Sequence, residues 1–313
     1  MISQSARKPM FVCTALCVVA GAISAALAGL HVDYVSFAPA WIVLACLAGL
    51  WVICARRRLD RVGATVEIFF AVFLINIPIL IMTYAANRMG MPLADNRLAA
   101  LDRALFFDWN MFIRLIDRSR SISLILQCVY NTLFFQIFFT TIGLSLIGQV
   151  ERARKFVIAL IGFSMVSCLI CIAFPAMGTF TYYDMAPSSL NNINSMVGFV
   201  YHETFLAVRQ NPDFLLSLKN ASGIVTFPSG HAAAAILVTW AGWQPLRLRL
   251  PLLFLNVCML VATVSHGAHY LIDVCAGVTL AILAIVATEY TFSIRRALAP
   301  TDPVARAAAA AMH

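Results

Sequence analysis

Eight apolar runs, each close to the length of a membrane-spanning helix, recur along the chain and leave no stretch long enough for a soluble domain. A helix needs about 20 apolar residues to cross the roughly 30 Å hydrocarbon core of a bilayer. Because backbone polar groups in lipid must be satisfied within the segment, we expect every run to be helical. The predicted spans are about residues 10–30, 38–55, 64–84, 124–148, 156–175, 228–244, 250–266 and 269–292.

The composition supports this interpretation, since 62% of the residues are apolar and only 12% are charged. A soluble domain carries about twice that share of charge. We therefore predict an all-α fold, a polytopic membrane bundle of about eight transmembrane helices.

Lysine and arginine are concentrated in short segments between the spans. The net charge of +8 could suggest nucleic acid as a partner, but these clusters are typical of membrane proteins. The clusters are Arg7 and Lys8; Arg56, Arg57, Arg58 and Arg61; Arg152, Arg154 and Lys155; Arg247 and Arg249; and Arg295, Arg296 and Arg306. Alternating spans place all five on one side, which the positive-inside rule makes cytoplasmic. We predict a bilayer environment, no nucleic-acid partner, cytoplasmic termini and two long outer loops, about 85–123 and 176–227.

Two segments each allow two interpretations. The first span could be a signal peptide, because Lys8 precedes an apolar stretch that ends in small residues. Its apolar length exceeds the 7–15 residues or so of a signal core, so we favour a retained helix. Residues 97–118 place apolar side chains at helical spacing; we expect a helix lying in the outer interface, with substrate binding as the alternative.

Histidines lie at the outer ends of two predicted spans. His269 and Asp273 are four residues apart, so on a helix the carboxylate can accept the imidazole Nδ1 proton and leave Nε2 free as a nucleophile. At the start of the sixth span, FPSGH places Ser229, Gly230 and His231 where unpaired backbone N–H groups and the helix dipole favour an anion.

Two histidines beside one anion site suggest phosphoryl transfer. His269 would attack phosphorus and form a phosphohistidine, and His231 would protonate the leaving group and then deprotonate water or an alcohol. This scheme uses no metal and no cofactor, and the nine cysteines lie in apolar runs without the spacing of a zinc site. We interpret the neighbouring His266 as a structural residue.

The sequence Pro228-Ser229-Gly230-His231, followed by Gly267-Ala268-His269 and Asp273, resembles the last two of the three motifs of the type 2 phosphatidic acid phosphatase family. That family includes lipid phosphatases, polyprenyl diphosphatases and the inositol phosphorylceramide and sphingomyelin synthases. The resemblance implies the mechanism above, with phosphate ligands from the Ser229-Gly230 turn. It also implies a six-helix catalytic core in residues 64–294, after two N-terminal helices in 1–63 and before a disordered cytoplasmic tail in 295–313.

The chain departs from the family pattern where the family has cations. The first motif, a lysine followed by an arginine-proline pair, is absent, and Ala262 and Thr263 stand where the third motif has serine-arginine. In these departures the sequence is more similar to the inositol phosphorylceramide synthase branch. It also shares His269-Tyr270 and the FPAMGTF segment at 174–180 with that branch. Other cations must then hold the substrate.

Lys219 is the first candidate phosphate ligand and Arg209 the second, with Arg103 and Arg114 as more distant candidates; each could equally be a solvated loop charge. We favour a phosphatase that acts on a lipid phosphomonoester or diphosphate at the outer, periplasmic face of a bacterial inner membrane. Transfer of a phospho-headgroup to an alcohol is the alternative. A transporter or scaffold is a more distant alternative. Transporters show broken helices near the midplane, whereas Pro78 is the only proline well inside a predicted span of this sequence.

Overall fold

The computed structural model describes residues 5–194, 196–244 and 246–297. Regular structure in this part is almost entirely helical, which confirms the predicted all-α membrane bundle. Two short strands, β1 (His31–Val32) and β2 (Leu215–Leu216), pair in parallel. The helices in chain order are α1 (Arg7–Ala28), α2 (Ala38–Arg56), α3 (Asp60–Arg88), α4 (Asp95–Ala104), α5 (Trp109–Asp117), α6 (Arg120–Asn131), α7 (Leu133–Leu146), α8 (Val150–Ala173), α9 (Thr179–Tyr182), α10 (Met196–Gln210), α11 (Gly230–Ala241), α12 (Leu246–His266) and α13 (Leu271–Ala297).

Within the described ranges, six helices are long and apolar enough to cross a membrane, namely α1, α2, α3, α8, α12 and α13. They coincide with six of the predicted spans. The other two predicted spans take different forms: 124–148 is the α6–α7 pair, bent by 49°, and 228–244 is α11, which has only 12 residues. Most of the predicted tail, from residue 298 onwards, lies outside the described residues.

The bend between α6 and α7 has a side-chain cause, since residues 120–146 contain no proline. The Thr132 hydroxyl donates to the Val129 carbonyl at 2.6 Å and accepts from Gln136 Nε2 at 2.9 Å. A hydroxyl that occupies a helix carbonyl competes with the regular backbone bonds, and this bends helices.

Helix α3 lies at the centre of the bundle and packs against α1, α2, α7 and α8. Its residues Ile68, Val72 and Ile75 are buried together with Phe156 of α8 and Leu237 of α11. Lipid tails are as apolar as these side chains, so close packing, rather than exclusion of water, holds such helices together. The same cluster joins α11, which carries one of the candidate histidines, to the long helices.

Charged side chains gather at one end of the bundle. Glu67 accepts hydrogen bonds from Arg7 Nε at 2.7 Å and from an Arg154 amino group at 3.1 Å. Lys155 pairs with Glu289 at 2.5 Å. These contacts bring the N-terminal ends of α1, α3 and α8 together with the C-terminal end of α13. The N-terminal end of α13, next to His269, therefore lies at the opposite end of the bundle.

Candidate active site

His269 and Asp273 are in contact, although His269 precedes α13 and does not lie on the same helix. Its Nδ1 is 3.2 Å from Asp273 Oδ2, which also accepts the Tyr270 backbone N–H at 2.9 Å. Both side chains are buried, with 4% of His269 and none of Asp273 exposed. The carboxylate therefore fixes the orientation of the ring, as the four-residue spacing suggested.

Ser229 joins the two histidine segments. It is the N-cap of α11, where its hydroxyl accepts the Ala232 N–H, and its own N–H donates to the Asp273 carbonyl at 3.1 Å. The Ser229 Oγ lies 3.4 Å from His269 Nε2. The imidazole thus has Nδ1 on a carboxylate and Nε2 directed at the first turn of α11, where an anion is favoured.

His231 is the second residue of α11, after the exposed Gly230. Its ring stacks on the Tyr130 ring, with centroids 4.0 Å apart and planes inclined by 9°. The same Tyr130 ring adjoins His269, because a Cβ at Gly267 would lie 2.9 Å from both Tyr130 Cε2 and His269 Cδ2. The structure therefore brings His231, His269 and Asp273, which the sequence placed at one membrane level, into one site.

The two candidate cations do not contact the histidines. Lys219 is exposed and has no hydrogen bond or ion pair within the described residues. Arg209 donates to the carbonyls of Asn87 at 3.3 Å and Met91 at 2.7 Å, so it holds the chain that follows α3. Phosphate binding by either residue stays a prediction, and the donors that do face the site are the N–H groups of α11.

The amphipathic stretch 97–118 is not one continuous helix, because α4 and α5 are separated by a break in which Phe106 has φ of 57°. Asp108 caps the second helix by accepting the Met111 N–H. The sequence predicted a helix lying in the outer interface. The structure shows that α4 also contacts the segment that carries His269 and Asp273.

Asp102 of α4 caps α13. Its two carboxylate oxygens accept the backbone N–H groups of Leu271 at 2.9 Å and Ile272 at 2.8 Å. These N–H groups belong to the first turn of α13 and have no partners within that helix. Asp102 therefore fixes the chain between His269 and Asp273, from a position about 170 residues earlier in the sequence.

Asp95, at the start of α4, makes a second connection. Its carboxylate accepts the N–H groups of Met177 and Gly178 and the Tyr270 hydroxyl at 2.9 Å. Burial raises the pKa of Asp95 and Asp102 above the usual value of an aspartate, and the donors offset this only in part. The FPAMGTF segment also contacts the loop that carries His269, because the Thr179 N–H donates to the Ala268 carbonyl at 3.0 Å.

One sequence signal could have revealed these two carboxylates. The buried residues of α4 are Asp95, Leu98, Ala99 and Asp102, which recur at the spacing of one helix face. An aspartate at both ends of an apolar face indicates a buried acceptor, because an unpaired charge there is costly.

His266, in contrast, has only structural contacts. It is buried, its Nδ1 lies 2.9 Å from the Ser265 hydroxyl and its Nε2 lies 3.4 Å from the Ser123 hydroxyl. Within the described residues, no group of three or more His, Cys, Asp and Glu side chains is placed to hold a metal ion.

Gly277 allows α13 to approach the start of α11, and we expect Gly277→Ala to destabilise the protein. A Cβ there would collide with the Ser229 carbonyl oxygen and lie 3.3 Å from the Ala232 Cβ. Overpacking of this kind costs about 1–3 kcal/mol. The measurement is the midpoint of thermal unfolding in detergent, together with the turnover rate.

Gly162→Ala is the matched control, because a Cβ at Gly162 of α8 meets no atom within 4 Å. It should leave the midpoint unchanged or raise it slightly, since alanine favours helix. Equal midpoints for the two variants would contradict the close approach of α13 to Ser229.

The fold and site define a polytopic membrane protein with a carboxylate-oriented histidine facing the N-terminal end of a short helix. The sequence model of the PAP2 superfamily matches residues 96–287, a range that includes His231, His269 and Asp273. The chain belongs to this superfamily, and membership indicates phosphatase or phosphotransferase activity on phosphate esters. Comparisons with curated proteins and with solved structures gave no match.

Proposed function

We propose that the protein is a membrane-embedded lipid phosphatase that hydrolyses a phosphomonoester or diphosphate through a phosphohistidine on His269. One observation carries the proposal: His269 Nδ1 rests on Asp273, and Nε2 points at the first turn of α11. A phosphoryl group bound at that turn meets a nucleophile whose tautomer is already set.

In the first step, His269 Nε2 attacks phosphorus, the P–N bond forms and the bond from phosphorus to the leaving oxygen breaks. His231 gives its proton to that oxygen, which departs as a lipid alcohol or, from a diphosphate, as a lipid monophosphate. In the second step, the now neutral His231 takes a proton from water. The resulting oxygen attacks phosphorus, and inorganic phosphate leaves His269.

The backbone replaces part of the missing cationic charge. In the first turn of α11, N–H groups near Gly230 and His231 have no partners within the helix, and the helix dipole adds positive potential. Gly230 is exposed, so a phosphate can approach the main chain there. This is a weaker anion site than one with two arginines.

The position of the site supports activity at the outer face of the membrane. The site lies at the end of the bundle opposite the Glu67 ion cluster, and the positive-inside rule makes the basic end cytoplasmic. The phosphate of a lipid in the outer leaflet is at the level of this end. We therefore assign the activity to the outer face.

Transfer to an alcohol is the second candidate. The residues that replace the serine-arginine pair of the third motif favour it. Ala262 and Thr263 are fully buried, and the Thr263 hydroxyl donates to the Met259 carbonyl at 2.7 Å. Neither of these two described positions supplies a cation, as in the synthase branch that the sequence resembles.

The test uses purified protein in ¹⁸O-labelled water with phosphatidate, polyprenyl phosphate and polyprenyl diphosphate, with and without an added alcohol lipid. We expect inorganic phosphate that contains one oxygen from water, at a rate that the alcohol does not change. Appearance of the phosphoryl group on the alcohol would favour the transferase, and release of phosphate by a His269→Gln variant at the normal rate would contradict both proposals.

A further inference from the structure

Tyr130 lies at the end of α6, one residue before that helix ends at the bend with α7. The Thr132 hydrogen bonds that accompany the bend lie directly beside Tyr130 in the chain. The ring packs with Leu133, Ala234, Ala235 and Met259, which restricts its movement.

This ring contacts both histidine segments. One face covers the His231 imidazole, with the centroids 4.0 Å apart. Its edge lies against Gly267, where a Cβ would be 2.9 Å from Tyr130 Cε2 and 2.9 Å from His269 Cδ2. The Tyr130 ring thus lies beside the His269 imidazole, the proposed nucleophile, and stacks on the His231 imidazole, the proposed acid and base.

The two histidines differ in what orients them. His269 has the Asp273 carboxylate on Nδ1. The His231 side chain has no hydrogen bond within the described part of the chain, so its stacking on Tyr130 is the contact that sets the plane of the ring. A general acid transfers its proton efficiently only when its donor atom is within hydrogen-bond reach of the leaving oxygen.

We propose that Tyr130 is a positioning residue that holds the His231 imidazole in the plane required for proton transfer to the leaving group. This inference rests on the proposed phosphatase function. The aromatic face acts through contact and also stabilises the protonated ring by a cation–π attraction. The Tyr130 hydroxyl has no hydrogen bond within the residues described, so the ring and not the hydroxyl carries the effect.

The experiment compares Tyr130→Phe, Tyr130→Leu and Tyr130→Met on two substrates, an alkyl phosphate lipid and an aryl phosphate. An alkoxide needs a proton to leave, whereas a nitrophenolate does not. We expect Tyr130→Phe to retain wild-type kcat on both. In the first turnover, measured by rapid mixing, the two non-aromatic variants should lose about tenfold or more in the rate of leaving-group release from the lipid, and much less in that from the aryl phosphate.

Phe134→Leu is the matched control, because Phe134 lies on the same bent pair with 61% of its surface exposed. It should behave as wild type on both substrates. A Tyr130→Leu, His231→Ala double variant should be no slower in releasing the lipid alcohol than His231→Ala alone, since both changes remove the same step.

Three outcomes would overturn the inference while His269→Gln stays inactive and the proposed function stands. In the first, the non-aromatic variants lose first-turnover leaving-group release equally on both substrates. In the second, neither non-aromatic variant loses any. In the third, Tyr130→Phe loses leaving-group release from the lipid alone. If neither non-aromatic variant folds, the Tyr130→Phe variant alone decides. A loss of lipid turnover in this variant would reject the role of the ring. Retained activity in His269→Gln would instead reject the proposed function itself.

Discussion

A His269→Gln variant is expected to lose phosphate release by about 10⁴-fold or more, because glutamine has no nucleophilic nitrogen to form the covalent intermediate. Glutamine is close to histidine in size and can still hydrogen-bond, so the loss should not come from unfolding. The measurement is the initial rate with a ³²P-labelled lipid phosphate. A second measurement is the acid-labile label that stays on the protein after a rapid quench.

His266→Gln is the control for this variant. His266 is buried only three residues away and bonds to the Ser265 and Ser123 hydroxyls, so its replacement disturbs the same region without touching the proposed nucleophile. It should retain most of the activity and its phosphoenzyme. Labelled phosphate on a His269→Gln protein would show that another residue is the nucleophile.

A His231→Ala variant is expected to show a loss that depends on the leaving group. General acid catalysis contributes about 10²–10⁴-fold, and this should be lost in full when the leaving oxygen is an alkoxide. With an aryl phosphate the first step needs no proton, so phosphoenzyme should form at a nearly normal rate. The second step still lacks its base and should be slow.

Rapid mixing of His231→Ala with an aryl phosphate should therefore give a burst of about one aryl alcohol per enzyme, followed by slow turnover. The double variant His231→Ala, His269→Gln, which lacks the nucleophile, should give no burst. Equal losses on alkyl and aryl substrates, with no burst, would contradict the assignment of His231 as the acid and base.

The sequence was sufficient to predict the helical bundle and the contact between two of the candidate site residues. Apolar length located six full spans, and the spacing of His269 and Asp273 correctly indicated their contact. Both features are local, since each depends on residues within one segment or four positions apart. The matching family range confirms the resemblance seen in the two motifs.

The residues that hold the site in place could not be predicted in the same way. Asp102 and Asp95 accept backbone N–H groups, which every residue but proline carries, so no side-chain pattern at Leu271 or Gly178 marks them as partners. The stacking of Tyr130 on His231 depends on the bend at Thr132, and hydropathy does not distinguish a bent span from a straight one. Domain boundaries and the side of the membrane stay predictions.

The shortness of α11 has a consequence for how a substrate reaches His231. Its 12 residues rise only about 18 Å, roughly 12 Å less than the hydrocarbon core, and its last carbonyls are held by Arg152 at the charged end. Its start is nevertheless bonded to the first turn of α13, a full-length span, through the Ser229 N–H and the Asp273 carbonyl. The short helix therefore begins level with the end of a long one. We expect a phospholipid, whose ester oxygen lies where headgroup meets tail, to reach His231 more readily than a soluble sugar phosphate, which would have to shed water.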